Sequence, residues 1–187
     1  VHAQEPAHSK QPVEPPASAQ CLPGGDGYLR ARLSGSLRAE LQWGNAGTEC
    51  TGAVRPTDGG IRMRFTRADD PAGKLVLVFG IATLAEGRAA RNVPVNVTLI
   101  REGQAAFYST QGDNKCTLDQ VSQEPIVGIP RRLRSYRVVA RGFCTQPARA
   151  VRGAGAVMLS RFDLAGRVDF GGDDPAADEP ETQSPNR

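Results

Sequence analysis

A chain of 187 residues, 39% hydrophobic and 23% charged, has enough apolar material for one domain with its own core. No apolar run approaches the ~20 residues a membrane-spanning helix needs; the longest, Leu75 to Ala82, is strand-sized. The net charge of +3 is uneven: residues 21–170 hold 21 Arg and Lys against 13 Asp and Glu, while residues 1–20 contribute −1 and residues 171–187 contribute −4.

In chain order, residues 1–20 are rich in Pro, Ala and Gln and lack periodic apolar positions, which predicts a disordered leader. The opening residue is Val1 rather than Met, which fits removal of an upstream export segment. Gly24-Gly25-Asp26-Gly27 joins no strand to a helix, so it does not read as a phosphate loop. Leu37, Ala39, Leu41 and Trp43 alternate with charged and polar residues, the pattern of a half-buried strand, and place Trp43 inward. Gly44 to Gly47 then turns the chain.

Ile61, Met63 and Phe65 form a second alternating strand, with Arg62 and Arg64 on its polar face. Leu75 to Ala82 is apolar on both faces and predicts a central strand. Leu84–Arg91 is the best helix candidate, although Gly87 weakens it. Val93 to Ile100 alternates again, and Pro94 predicts that this strand lies at an edge or begins there. Further strands follow at Ala105–Thr110, Cys116–Val121, Tyr136–Arg141 and Phe162–Phe170, separated by turn sequences. The long segment 122–135 reads as a crossover between sheets, and residues 171–187 as a disordered acidic tail.

The fold expected is therefore all-β: an antiparallel two-sheet β-sandwich, jelly-roll-like, of about eight or nine strands over residues 21–170. Cys21, Cys50, Cys116 and Cys144 include no Cys-x-x-Cys, so disulfides are favoured over zinc or thiol redox chemistry. Of three possible connectivities, the sequential one, Cys21–Cys50 and Cys116–Cys144, is preferred. Two such staples place the chain in a secreted or periplasmic setting; four free thiols would place it in the cytosol.

Histidine excludes the most chemistry. His2 and His8 are the only two, both in the leader, so the core has no imidazole for a Ser-His-Asp or Cys-His nucleophile or a His-rich zinc site. Val1 and His2 together suit a Cu(II) chelate, but a solvated tail histidine is the simpler reading. Carboxylates available to a hydrolase are Asp69, Asp70, Asp113, Asp119 and Glu124, all in or beside expected loops, where turn formation is their ordinary role. Asn96-Val97-Thr98 matches a glycosylation acceptor but falls mid-strand and is taken as coincidental.

The strongest positive feature is arginine. Arg131, Arg132, Arg134, Arg137 and Arg141 crowd one stretch, and Arg62, Arg64 and Arg38 lie on polar strand faces. Sharing one sheet, they would form a surface for carboxylate, sulfate or phosphate groups, which guanidinium binds in a bidentate fork. The competing reading is a solvated face. Aromatics are 5% of the chain, too few for the stacking platforms of nucleic-acid or sugar binders.

These observations favour an exported, non-catalytic binding module. Its partner is a protein or an anionic polymer of the envelope or extracellular space, with no cofactor, no metal, no nucleic acid and no membrane span. Two alternatives stand beside it: a carrier of a small apolar ligand, its site lined by Phe79, Ile81, Phe107 and Val138, and a hydrolase using the loop carboxylates.

Overall fold

The computed structural model describes residues 19–70 and 73–171. The strands are β1 (Tyr28–Gly35), β2 (Ala39–Trp43), β3 (Thr48–Val54), β4 (Ile61–Arg67), β5 (Leu75–Ile81) and β6 (Ala90–Arg101). They continue with β7 (Ala106–Ser109), β8 (Cys116–Pro125), β9 (Ser135–Cys144), β10 (Ala148–Ala150) and β11 (Ala156–Asp169). One 3₁₀ turn, Arg131–Leu133, precedes β9.

The architecture is a closed seven-stranded β-barrel with extra strands, not the expected antiparallel two-sheet sandwich. Around the ring, β3, β4, β5, β6, β8, β9 and β11 pair in that order. Each of these contacts is antiparallel, and the ring closes where β11 meets β3 in parallel, Asp169 opposite Ala53. The β1–β2 hairpin extends from the edge of β11, while β7 and β10 continue the sheet beyond β8 and β9. Alternation along each strand is the same in a sandwich and a barrel, so the closing contact decides between them.

Segment 122–135 is not a crossover: it holds the end of β8, a loop and the 3₁₀ turn. Leu84–Arg91 is not helical, and β6 begins within it at Ala90. Pro94 lies inside β6, but β5 ends opposite Val95, leaving one edge of β6 unpaired at the proline. β5 is buried along its whole length, and Arg55 covers Gly80 on its outer face.

Inside, Phe79 meets Phe65 edge-on at 6.0 Å between ring centroids and Phe162 at 5.2 Å. These rings fit because two strand glycines leave room. A Cβ at Gly166 would stand 2.7 Å from Phe65 Cζ, and one at Gly142 would stand 2.8 Å from Phe162 Cζ.

The parallel seam is held by the segment preceding β1, whose Cys21 and Leu22 are buried in the core. Cys21 is bonded to Cys50 of β3, and its Sγ lies 3.5 Å from the Ala165 carbonyl of β11. Asn45 clamps this strap: its Oδ1 accepts from Leu22 N at 2.8 Å and Gly27 N at 3.0 Å. The second bridge, Cys116–Cys144, joins directly opposed residues of β8 and β9. Both sequential disulfides are thus present, each closing a loop worth ~3–4 kcal/mol in the chain-entropy model. They indicate an oxidising environment.

The expected leader and tail, with His2, His8 and the Val1 chelate, lie outside the described residues except at their inner ends. There, Gln20 bridges Ala46, and Gly171 N donates to Leu133 O. No helix of the described residues is long and apolar enough to cross a membrane.

Gly52 tests the seam, because a Cβ there would run into the Arg167 carbonyl and stand 2.9 Å from Val168 Cγ2. Gly52→Ala is expected to cost about 1–3 kcal/mol by forcing β3 away from β11. Urea unfolding with the disulfides intact measures it, with Thr51→Ala on the exposed face as the near-neutral control.

Candidate anion-binding site

The eight arginines singled out in the sequence do not share one face, and Arg38 lies exposed just before β2. Arg131 and Arg132 sit on the 3₁₀ turn at one end of the barrel, exposed and without an ion pair among the described residues. Arg134 beside them pairs with Glu86 at 3.2 Å and donates to the Phe170 carbonyl at 3.1 Å. Arg62 and Arg64 project from β4 beside the seam, bordering a groove of about 560 Å³ that Arg167 and Asp169 also line. In that groove Arg167 is already committed: its Nε donates to Asp169 Oδ1 at 2.8 Å, and the Ser135 hydroxyl donates to the same oxygen at 2.5 Å.

Arg137 is likewise committed. Its Nε lies 2.9 Å from Asp26 Oδ2 without being aimed along a hydrogen bond, whereas its NH2 donates to the Asp26 carbonyl at 3.0 Å. The carbonyl bond is the directed one, and the carboxylate contributes charge. Arg137 therefore ties the strap to β9 and is unavailable to a ligand in this arrangement.

Arg141 belongs to a different group, which cross-strand register assembles. Arg91 on β6 stands opposite Gln120 on β8, Gln120 opposite Arg141 on β9, Arg141 opposite Asp163 on β11, and Asp163 opposite Arg30 on β1. Two residues along β8, β9, β11 and β1, on the same outer face, come Ser122, Val139, Ala165 and Tyr28, with Ala89 just before β6 beside them. A charged row beside a row of mostly small side chains makes a trough. The hollow there is about 730 Å³, lined by Tyr28, Arg30, Arg91, Gln120, Arg141 and Asp163 over Ala90, Val139 and Ser122.

Each arginine of the row is exposed, and none forms an ion pair among the described residues. Two are positioned by neutral neighbours: Arg141 NH2 donates to Gln120 Oε1 at 2.6 Å, and the Arg30 guanidinium lies 4.5 Å above the Tyr28 ring centroid. A guanidinium held by a neutral partner keeps its full charge for a third group.

The other sequence candidates are dispersed. Asp69 pairs with Arg67 at 2.6 Å, and that hydrogen bond holds its carboxyl below the usual carboxylate range. Asp70 accepts from the Trp43 indole N–H at 3.1 Å. Asp113 lies in the loop before β8, Asp119 in the irregularity of β8 and Glu124 near its end. Phe79, Ile81 and Val138 are core residues, whereas Phe107, expected with them, is 43% exposed on β7. Asn96, the sequon residue, is engaged internally: its Oδ1 accepts from the Thr110 hydroxyl at 2.7 Å. Among the described residues, no three His, Cys, Asp or Glu side chains gather as metal ligands.

Arg30 and Arg91 escaped the sequence reading because neither lies in an arginine run. Only the register brings residues 30, 91 and 141 into line. Comparison with protein-family models, curated proteins and solved structures gave no significant match.

The committed and uncommitted arginines are expected to separate on substitution. Arg137→Gln should lower stability by about 1 kcal/mol, since it removes a half-exposed pair and a bond to the strap. Arg91→Gln should leave stability within about 0.5 kcal/mol. Chemical denaturation of the two variants side by side measures both.

Proposed function

We propose that the protein is an exported, non-catalytic binding module that holds an anionic partner of the cell envelope or extracellular space on its arginine-bearing outer surface. The observation that carries this reading is the trough. Three exposed arginines stand in one cross-strand row without an ion pair among the described residues, two of them oriented by Gln120 and Tyr28. The two disulfides support the oxidising compartment, and secreted or periplasmic residence belongs to the proposal.

The way the side chains are used is consistent with a binding role. Among the described residues, the arginines of the trough contact Gln120 and Tyr28, and the carboxylates considered for hydrolysis occupy separate loops and strand ends. Arg62 and Arg64 at the seam groove, with Arg131 and Arg132 beyond, extend the positive surface but sit on other faces. In this reading they contribute long-range attraction, and the trough contributes contact.

The test is retention of the full-length protein on an immobilised sulfated or carboxylated polymer across a salt series. Retention should weaken steeply between low and physiological ionic strength. Arg30→Gln, Arg91→Gln and Arg141→Gln should each weaken binding about tenfold, the scale of one lost charge-assisted hydrogen bond. Salt-independent retention, or a triple variant that binds like the parent, would exclude this face as the binding surface.

A further inference from the structure

The trough has an order as well as a charge. Read across the strands it runs Arg91, Gln120, Arg141, Asp163, Arg30: cation, amide, cation, carboxylate, cation. Neighbouring arginines are two inter-strand steps apart, a spacing of about 10 Å. Between the second and third cations stands Asp163, half-buried, its side chain without an ion pair or hydrogen bond to another described residue.

From this we infer that the ligand is an acidic polysaccharide with one carboxylate or sulfate on alternate sugars, lying across the strands. The inference rests on the anionic-partner reading and narrows it. A polyanion with a charge on every unit must set one anion over Asp163, where a carboxylate repels it. A polymer with alternating charge sets its anions on the arginines and a neutral, hydroxyl-bearing sugar on Asp163, which accepts hydrogen bonds from hydroxyls. Gln120 offers its amide N–H to the other neutral unit while its oxygen holds Arg141.

The small floor fits this occupant. Ala89, Ser122 and Val139 line the hollow along one side of the row with small side chains. The single aromatic of the trough, Tyr28, has a ring face covered by Arg30, so recognition here is led by charge and hydroxyl rather than by stacking on a sugar ring. The scarcity of aromatics counts against a sugar held by stacking, whereas a glycan held by charge and hydroxyl needs no such platform.

The probes are hyaluronan, with a carboxylate on alternate sugars; polygalacturonate, with one on every sugar; and polyphosphate. Affinities of the full chain are measured at one ionic strength by calorimetry or biosensor. Hyaluronan should bind about tenfold tighter than either competitor. Affinity for hyaluronan oligosaccharides should climb until three carboxylates are present and then level off, because the row holds three arginines.

Asp163→Asn should raise affinity for polygalacturonate and polyphosphate about tenfold while changing hyaluronan by less than about threefold. Competitors that match hyaluronan in the parent protein, or an Asp163→Asn variant that shifts all three equally, would overturn the alternating ligand and leave a general anion site. Failure of all three polymers to bind would overturn the anionic-partner reading with it. Intact disulfides and an unchanged thermal midpoint confirm that each variant is folded.

Discussion

The contact on which this structure depends is the parallel approach of β11 to β3. Every other junction of the ring has an antiparallel ladder several residues long, whereas this one has a single paired position, Ala53 with Asp169. Little backbone hydrogen bonding is available to hold it, so the chain secures it by other means. Gly52 lets the Arg167 carbonyl come close, the buried Cys21–Cys50 bridge ties the preceding segment to β3, and Asn45 fixes that strap. Asp169 then collects Arg167 and Ser135 at the closing point, joining β11 to β9. Closure leaves fewer free strand edges, with their unpaired N–H and C=O groups, than an open sheet would.

The trough inherits its geometry from that closure. β11 supplies Asp163 to the charged row and, six residues on, Asp169 to the seam, so one strand sets both. Were β11 to slip by one residue, Asp163 would turn inward and Phe162 outward, because side chains alternate along a strand. Burial of Phe162 against Phe79, in the space left by Gly142, makes that slip costly. Packing inside the barrel therefore fixes the register outside it. An arginine row on a poorly registered sheet would have no defined spacing.

Much of the local structure was legible in the sequence, and the closure was not. The alternation through Leu41 and Trp43, through Ile61 to Phe65 and through the apolar run from Leu75 identified β2, β4 and β5, since burial on one or both faces writes itself into residue order. Cysteine spacing identified both bridges. β1, β3 and β10 were missed: Thr48–Val54 has a glycine at its centre for the seam, and Ala148–Ala150 is three residues long, so neither shows a clean period. The helix expected at Leu84–Arg91 failed for the reason its glycine suggested, as Gly87 takes φ +70, outside the helical region. The arginine run was conspicuous in sequence yet scattered in space. Arg134 and Arg137 were absorbed by Glu86 and Asp26, and Arg141 joined two partners that no local pattern could reveal.

Unpaired surface arginines are common, and a surface ion pair contributes at most about 1 kcal/mol, so a free guanidinium alone signals little. Arrangement distinguishes the trough. At physiological ionic strength the screening length is about 8 Å, shorter than the ~10 Å between successive arginines of the row. The three charges therefore act on an approaching polymer as three local contacts more than as one diffuse positive field. A diffuse field would favour whichever polyanion carried the greatest charge density. Separate contacts with Asp163 between two of them favour the polymer whose charges fall in the right places, so the spacing that closure imposes on the strands becomes the basis of selectivity.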